Sequence, residues 1–172
     1  MKNKAMVTTS YQDMRVLEMA EERLMLEEFL VKKTNLKVRN EAGENALYWA
    51  IHYRNHHNVK ILLKYNIDLM VTPKKHALFH TIEVKDVELF MHIFTLGRVN
   101  VNLKDAMGKT LLMRAIEANA INIVRYLLNR GADLYLTDNH NQGALEYIQK
   151  CKHQDLYNLV YYRIIYEKNK VA

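Results

Sequence analysis

Apolar residues along this chain recur at helical spacing in short bursts. Ile121, Val124, Leu127 and Leu128 fall at i, i+3, i+6 and i+7 and therefore line one face of a helix. Val59, Leu62 and Leu63 repeat the same internal spacing. A single short helix cannot bury such a stripe alone, so each burst needs a neighbour of its own kind.

The bursts belong to a longer pattern. Gly43, Leu47, Ala50, Ile51, Val59, Leu62, Leu63 and Asp68 are matched, each 65 residues on, by Gly108, Leu112, Ala115, Ile116, Val124, Leu127, Leu128 and Asp133. That displacement is two steps of about 33, a period typical of repeat architectures, which favour a binding surface over a catalytic cleft. Small Ala50 and Ala115 let helices approach closely, and Gly131 suits the left-handed position that ends a helix. Asn45 and Thr110 stand where a helix needs an N-cap.

Stepping the pattern along the chain places the remaining elements. Leu26, Phe29 and Leu30 fall in register with Val124, Leu127 and Leu128, and Asn35 with Asp133. With Met14 and Leu17 they predict an N-terminal helix pair from about Tyr11 to Lys33, its wet side carrying Glu18, Glu21, Glu22, Glu27 and Glu28. A degenerate unit follows the first clear one: Leu78, Thr81-Ile82 and Ile93-Phe94 predict helices from near His76 to Val84 and from Asp86 to Leu96. Thr81 takes the place of the small alanine there, which predicts looser packing. Beyond Asp138, residues Leu145, Ile148, Leu156, Leu159 and Val160 predict a last pair. Its final helix spans about Gln154 to Glu167 and carries Tyr157, Tyr161, Tyr162 and Tyr166.

The string Asp105-x-x-Gly108-x-Thr110-x-Leu112, followed by Ala115-Ile116, Ile123-Val124-x-x-Leu127-Leu128 and Gly131-Ala132-Asp133, resembles the ankyrin repeat. The earlier unit keeps this skeleton with Asn40 for the Asp, Asn45 for the Thr, Ala46 for the usual Pro and Asn66 for the final Gly. The resemblance covers roughly residues 11 to 166. It implies an all-α ankyrin-repeat solenoid of about four stacked helix-turn-helix units with degenerate N- and C-terminal capping units. Approximate unit bounds are 11–39, 40–72, 73–104, 105–137 and 138–168, within one domain, 1–172. The Pro-Leu-His of the typical repeat is absent, so its Thr–His network is not implied.

In proteins of this resemblance, partners bind the hairpin tips and the exposed side of each first helix. Carried onto this sequence, the partner-binding residues are Arg39, Glu41, Glu44, His52, Tyr53, Lys74, Lys75, Val84, Met107, Lys109, Glu117 and His140. Together they would make a concave stripe, with Tyr53 and Met107 as its candidate anchors, since aromatic residues and Met are enriched at interfaces.

Composition narrows the class. A length of 172 residues and an apolar share of 49% supply a core. No stretch is long and apolar enough to span a membrane, and Met1-Lys2-Asn3-Lys4 lacks the apolar region of a secretory signal. One cysteine, Cys151, excludes an internal disulfide framework and suits a reducing compartment. The expectation is a cytoplasmic monomer, although the tyrosine-rich last helix could cap the stack or dock a second copy. The net charge of +6 favours an acidic protein partner by steering. Without a run of five like charges it does not point to nucleic acid.

Candidate chemistry is sparse. His52 and His56, like His76 and His80, stand at i, i+4, a spacing that can present two imidazoles on one helical face. Neither pair has a cysteine near it or an HExxH glutamate within it, and His56 and His57 align with the turn between helices. Phosphate-cradling and nucleophile-elbow motifs are absent. Cys151 and His153, two apart on one segment, do not make an oriented dyad. No catalytic residue, metal site or cofactor is predicted, and the chain is read as a non-enzyme.

Three functions therefore stand side by side. The first is a protein-interaction module holding a partner on the concave stripe. The second follows from the resemblance: small ankyrin proteins rich in Lys, Asn, Ile and Tyr look like effectors or inhibitors of intracellular bacteria or viruses that mimic a host regulator in the host cytosol. The third, the weakest, is a metal-binding protein built on the histidine pairs.

Overall fold

The structure, a computed structural model, describes residues 35–171. The N-terminal helix pair expected between Tyr11 and Lys33 lies outside the described residues. Those described form eight helices and one two-stranded sheet: α1 (Ala46–His52), α2 (His56–Lys64), β1 (Met70–Thr72), β2 (Lys75–His76), α3 (Ala77–Val84), α4 (Val87–Leu96), α5 (Leu111–Glu117), α6 (Ile121–Asn129), α7 (Ala144–Gln149) and α8 (Gln154–Val171). They divide into two compact units, one ending at Ala77 and the other beginning at Leu78.

Helix starts follow the capping chemistry of the sequence. The side chain of Asn45 accepts from the Tyr48 N–H (3.1 Å), that of Asn55 from Asn58 (3.1 Å), that of Asp86 from Leu89 (3.0 Å) and that of Thr110 from Met113 (3.2 Å). Each satisfies a donor that the first turn leaves without an intrahelical partner.

Six helix ends share one device. In the first three pairs, Arg54, Lys85 and Asn119 adopt φ of 52°, 55° and 57° after the first helix, and Asn66, Arg98 and Gly131 adopt 55°, 49° and 76° after the second. In all six cases the next N–H reaches back five residues, as in Ala120 to the Ala115 carbonyl (2.9 Å) and Ala132 to that of Leu127 (3.0 Å). This left-handed closure returns the chain sharply and satisfies the last carbonyls.

In the first unit α1 packs on α2 and on β1. Leu47, Ala50, Ile51, Val59 and Leu62 are fully buried there, so the apolar stripe read from the sequence is the packed face. β1 and β2 pair antiparallel, Met70 opposite His76 and Thr72 opposite Lys75, with an irregular register between. In the second unit first helix packs on first helix, α5 on α7, while second packs on second, α4 on α6. Each pair is closed by its own α5–α6 or α7–α8 contact. Neighbouring hairpins there shield one another's apolar faces, which no single pair could do.

Two local expectations change. Thr81 does not loosen its helix: it is fully buried and its hydroxyl donates to the Leu78 carbonyl (2.8 Å), which satisfies the only polar group it adds. His56 and His57 do not lie in a turn but open α2, because Asn55 caps the helix ahead of both.

Candidate functional site

The loops before α1, α5 and α7 are each built by one acidic or amide side chain, Asn40, Asp105 and Asp138. In the second unit Asp105 Oδ1 accepts from the N–H groups of Met107 (2.8 Å) and Lys109 (3.0 Å), and Gly108 takes φ 73° to complete the turn. Asp138 repeats the bonds to His140 (2.8 Å) and Gln142 (3.0 Å), with Asn141 at φ 58° in the glycine's place. The two tips are joined: Asn139 donates from its backbone to the Met107 carbonyl (3.1 Å) and from its side chain to that of Ala106 (3.3 Å). Met107 is left 55% exposed, and His140 is exposed on the adjoining tip.

Behind the tips lies an ion network that sequence reasoning missed. Arg114 on α5 bonds Asp105 and also Glu117 (3.0 Å), while Lys109 bonds the other Glu117 oxygen (2.6 Å) and lies 5.2 Å from the centre of the Tyr147 ring. Partial burial works against the Lys109 charge, but Glu117 and Tyr147 more than offset it and its pKa is raised. Arg114 is raised in the same way, against burial, by Asp105 and Glu117. Tyr147 donates to Asp138 Oδ2 (2.7 Å). The Gln142 backbone N–H, then that hydroxyl and the His140 N–H, hold the Asp138 carboxyl down at about 2 from 3.8. Burial, with the Asp138 bond, pushes the Tyr147 phenol up. The common spacing of nine residues, Asp105 to Arg114 and Asp138 to Tyr147, was the signal available in the sequence.

Between these residues is a cleft of ≈ 540 Å³, lined among others by Lys109, Glu117, Gln142, Tyr147, Lys150 and Lys152. Lys150 Nζ donates to Gln142 Oε1 (2.9 Å). Thus Met107, Lys109, Glu117 and His140 gather around one tip-and-cleft surface in the second unit. Val84 closes α3, half-buried.

In the first unit Tyr53 is 52% exposed and its ring lies 5.2 Å from that of His52. Glu41 and Lys74 are exposed, and Lys75 is half-buried. Arg39 and Glu44 are engaged. The Arg39 guanidinium donates to the carbonyls of Gly43 (2.8 Å), Met70 (2.7 Å) and Val71 (3.2 Å) and pairs with Asp68 (2.7 Å), while Glu44 accepts from the Asn40 amide (2.8 Å). His52 ends α1 and His56 begins α2; His76 lies in β2 and His80 in α3. Neither pair shares a helix, so the face-to-face geometry that i, i+4 would give does not arise.

Comparison with known proteins places this geometry. A family model of ankyrin repeats (three copies) matches residues 17–138 and 78–169. The ankyrin repeat protein FPV034 of fowlpox virus (strain NVSL) is 24% identical over 113 residues, 66% of this chain and 27% of its own length. The ankyrin repeat protein OPG189 of vaccinia virus (strain Copenhagen) is 28% identical over 102 residues, 59% of this chain and 18% of its own. An L-asparaginase of Dirofilaria immitis is 27% identical over 129 residues, 74% of this chain but 22% of that protein. The chain thus spans well under a third of each of these three relatives. No helix among the described residues is long and apolar enough to cross a membrane.

Proposed function

The chain belongs to the ankyrin-repeat family, and from that premise we propose that it is a non-enzymatic interaction module that holds a partner protein on its hairpin tips and first-helix faces. The observation that carries the reading is the joined pair of tips in the second unit. Backbone fixed by Asp105, Asp138 and Asn139 presents an exposed Met107. A large apolar side chain on a preordered loop spares the cost of ordering the backbone on binding, which suits an anchor. Tyr53 offers the same kind of surface in the first unit.

The partner-binding set is refined by these contacts. Glu41, His52, Tyr53, Lys74, Lys75, Val84, Met107 and His140 are the residues proposed to meet the partner, whereas Arg39, Glu44, Lys109 and Glu117 shape the loops that present them. The excess of lysine favours an acidic partner. Alanine at Tyr53 and Met107 with glutamate at Lys74 and Lys75 should keep the circular dichroism spectrum while abolishing capture of the partner. Undiminished capture would reject the reading.

A second reading rests on the poxvirus ankyrin proteins among the relatives. Here the module is a virus-encoded effector that occupies a host regulator's binding site in the host cytosol. Pull-down from infected-host lysate with mass spectrometry separates the two readings, since the second requires a host protein in the capture.

A further inference from the structure

Resting on the reading above, the cleft between α5 and α7 defines what kind of partner segment this surface takes. We infer that it receives a carboxylate of an acidic peptide segment in the partner protein. Three lysines line it, Lys109, Lys150 and Lys152, against one glutamate. Glu117 is already shared by two cations, Lys109 and Arg114. Lys150 bonds only the neutral amide oxygen of Gln142 and lies 6.0 Å from the Tyr147 ring centre. Among the described residues, neither Lys150 nor Lys152 has a carboxylate within 4.0 Å. The cleft therefore keeps a net positive charge that its own side chains leave uncancelled.

Its remaining chemistry fits the same occupant. Glu117 on Lys109 shows, within the molecule, how a carboxylate is held here. The edge of the Tyr147 ring that lines the cleft offers apolar surface to the methylenes of a glutamate-type side chain. A cleft of ≈ 540 Å³ holds one or two side chains. Its lysines converge on that volume instead of following a track, unlike the succession of phosphate contacts that a nucleic acid requires.

The test uses the full chain and a fluorescein-labelled nine-residue peptide repeating Glu-Gly-Leu, with Gln-Gly-Leu and Lys-Gly-Leu versions as controls. Cys151 is the one thiol of the chain and lines the cleft, so its rate of alkylation by N-ethylmaleimide reads occupancy. The glutamate peptide should bind saturably and slow that reaction. Lys150→Glu with Lys152→Glu should weaken binding by about 10-fold or more and remove the protection. Lys60→Glu, at an exposed position of α2 in the first unit and outside the proposed partner-binding set, should change neither.

Equal binding of the glutamine peptide, alkylation unaffected at saturating glutamate peptide, or tighter binding of an oligothymidylate would overturn the inference. Should the double glutamate variant lose its helical spectrum, the double glutamine variant replaces it and is expected to weaken binding in the same direction. Partner capture that depends on Met107 but tolerates Lys150→Glu with Lys152→Glu would sink this inference alone. Capture indifferent to Met107 would sink the broader reading instead.

Discussion

The loop at 105–110 and the loop at 70–76 do the same work by different means. The first is a family-type tip: Asp105 caps two backbone donors, Gly108 turns left-handed, and Thr110 opens the helix. The second has neither an Asx residue nor a glycine within it and folds as a two-stranded hairpin around Pro73 and Lys74. Arg39 completes it from outside, clamping the Met70 and Val71 carbonyls while paired with Asp68. Where the repeat letters are lost, cross-strand bonds and a long-range guanidinium replace local side-chain capping. A local cap depends on one residue, whereas a clamp depends on a residue about thirty positions away.

Substitutions can break this contrast, beginning with the largest effect. Gly108→Val forces a β-branched residue to φ 73° and drives a Cβ into the Asn139 side chain and its backbone nitrogen (2.9 Å), so it should cost about 3 kcal/mol in urea unfolding. Gly131, at φ 76° but with nothing near its missing Cβ, should lose only about 1 kcal/mol as Gly131→Ala. If the two were equal, the joined tips would contribute nothing beyond backbone strain. Arg39→Ala should destabilise the hairpin by about 2 kcal/mol, the worth of charged hydrogen bonds, and raise amide exchange at residues 70–77 while sparing 105–110. Thr110→Ala should cost about 1 kcal/mol, the value of one cap.

A difference in acid sensitivity sharpens the comparison further. Burial lowers the pKa of His76 in the hairpin below 6.5 despite Asp68 nearby, so its stabilising contribution is present above pH 6.5 and is lost as pH falls through its folded value. Asp138 in the second unit has its pKa held at about 2 against 3.8, so its contribution is full above 3.8 and disappears as pH falls toward 2. Amide protection factors at 70–77 should begin to fall below pH 6.5, while those of His140 and Gln142 persist to pH ~4. Simultaneous loss would contradict the assignment.

Much of the fold was legible because it is local. The 65-residue recurrence, the caps Asn45 and Thr110, and the left-handed Asn66 and Gly131 each depend on a few adjacent residues, and each stands where the letters placed it. Asn35 even repeats the bond of Asp133, accepting from the N–H two residues on. The candidate site was legible only in outline. Tip residues could be located, but whether a charge is presented or consumed depends on neighbours in space. Arg39 and Lys109 read as surface cations and are instead held by Asp68 and Glu117. Tyr147, which its letters alone do not single out, bonds Asp138 and lies near two lysines.

Hydrogen exchange on the partner-bound chain tests the central claim most directly. Protection is predicted at 104–111 and 137–144 and along the exposed sides of α5 and α7, with α4, α6 and α8 exchanging as in the unbound chain. Protection confined to α4, α6 and α8 would place the partner on the opposite helices and contradict the account.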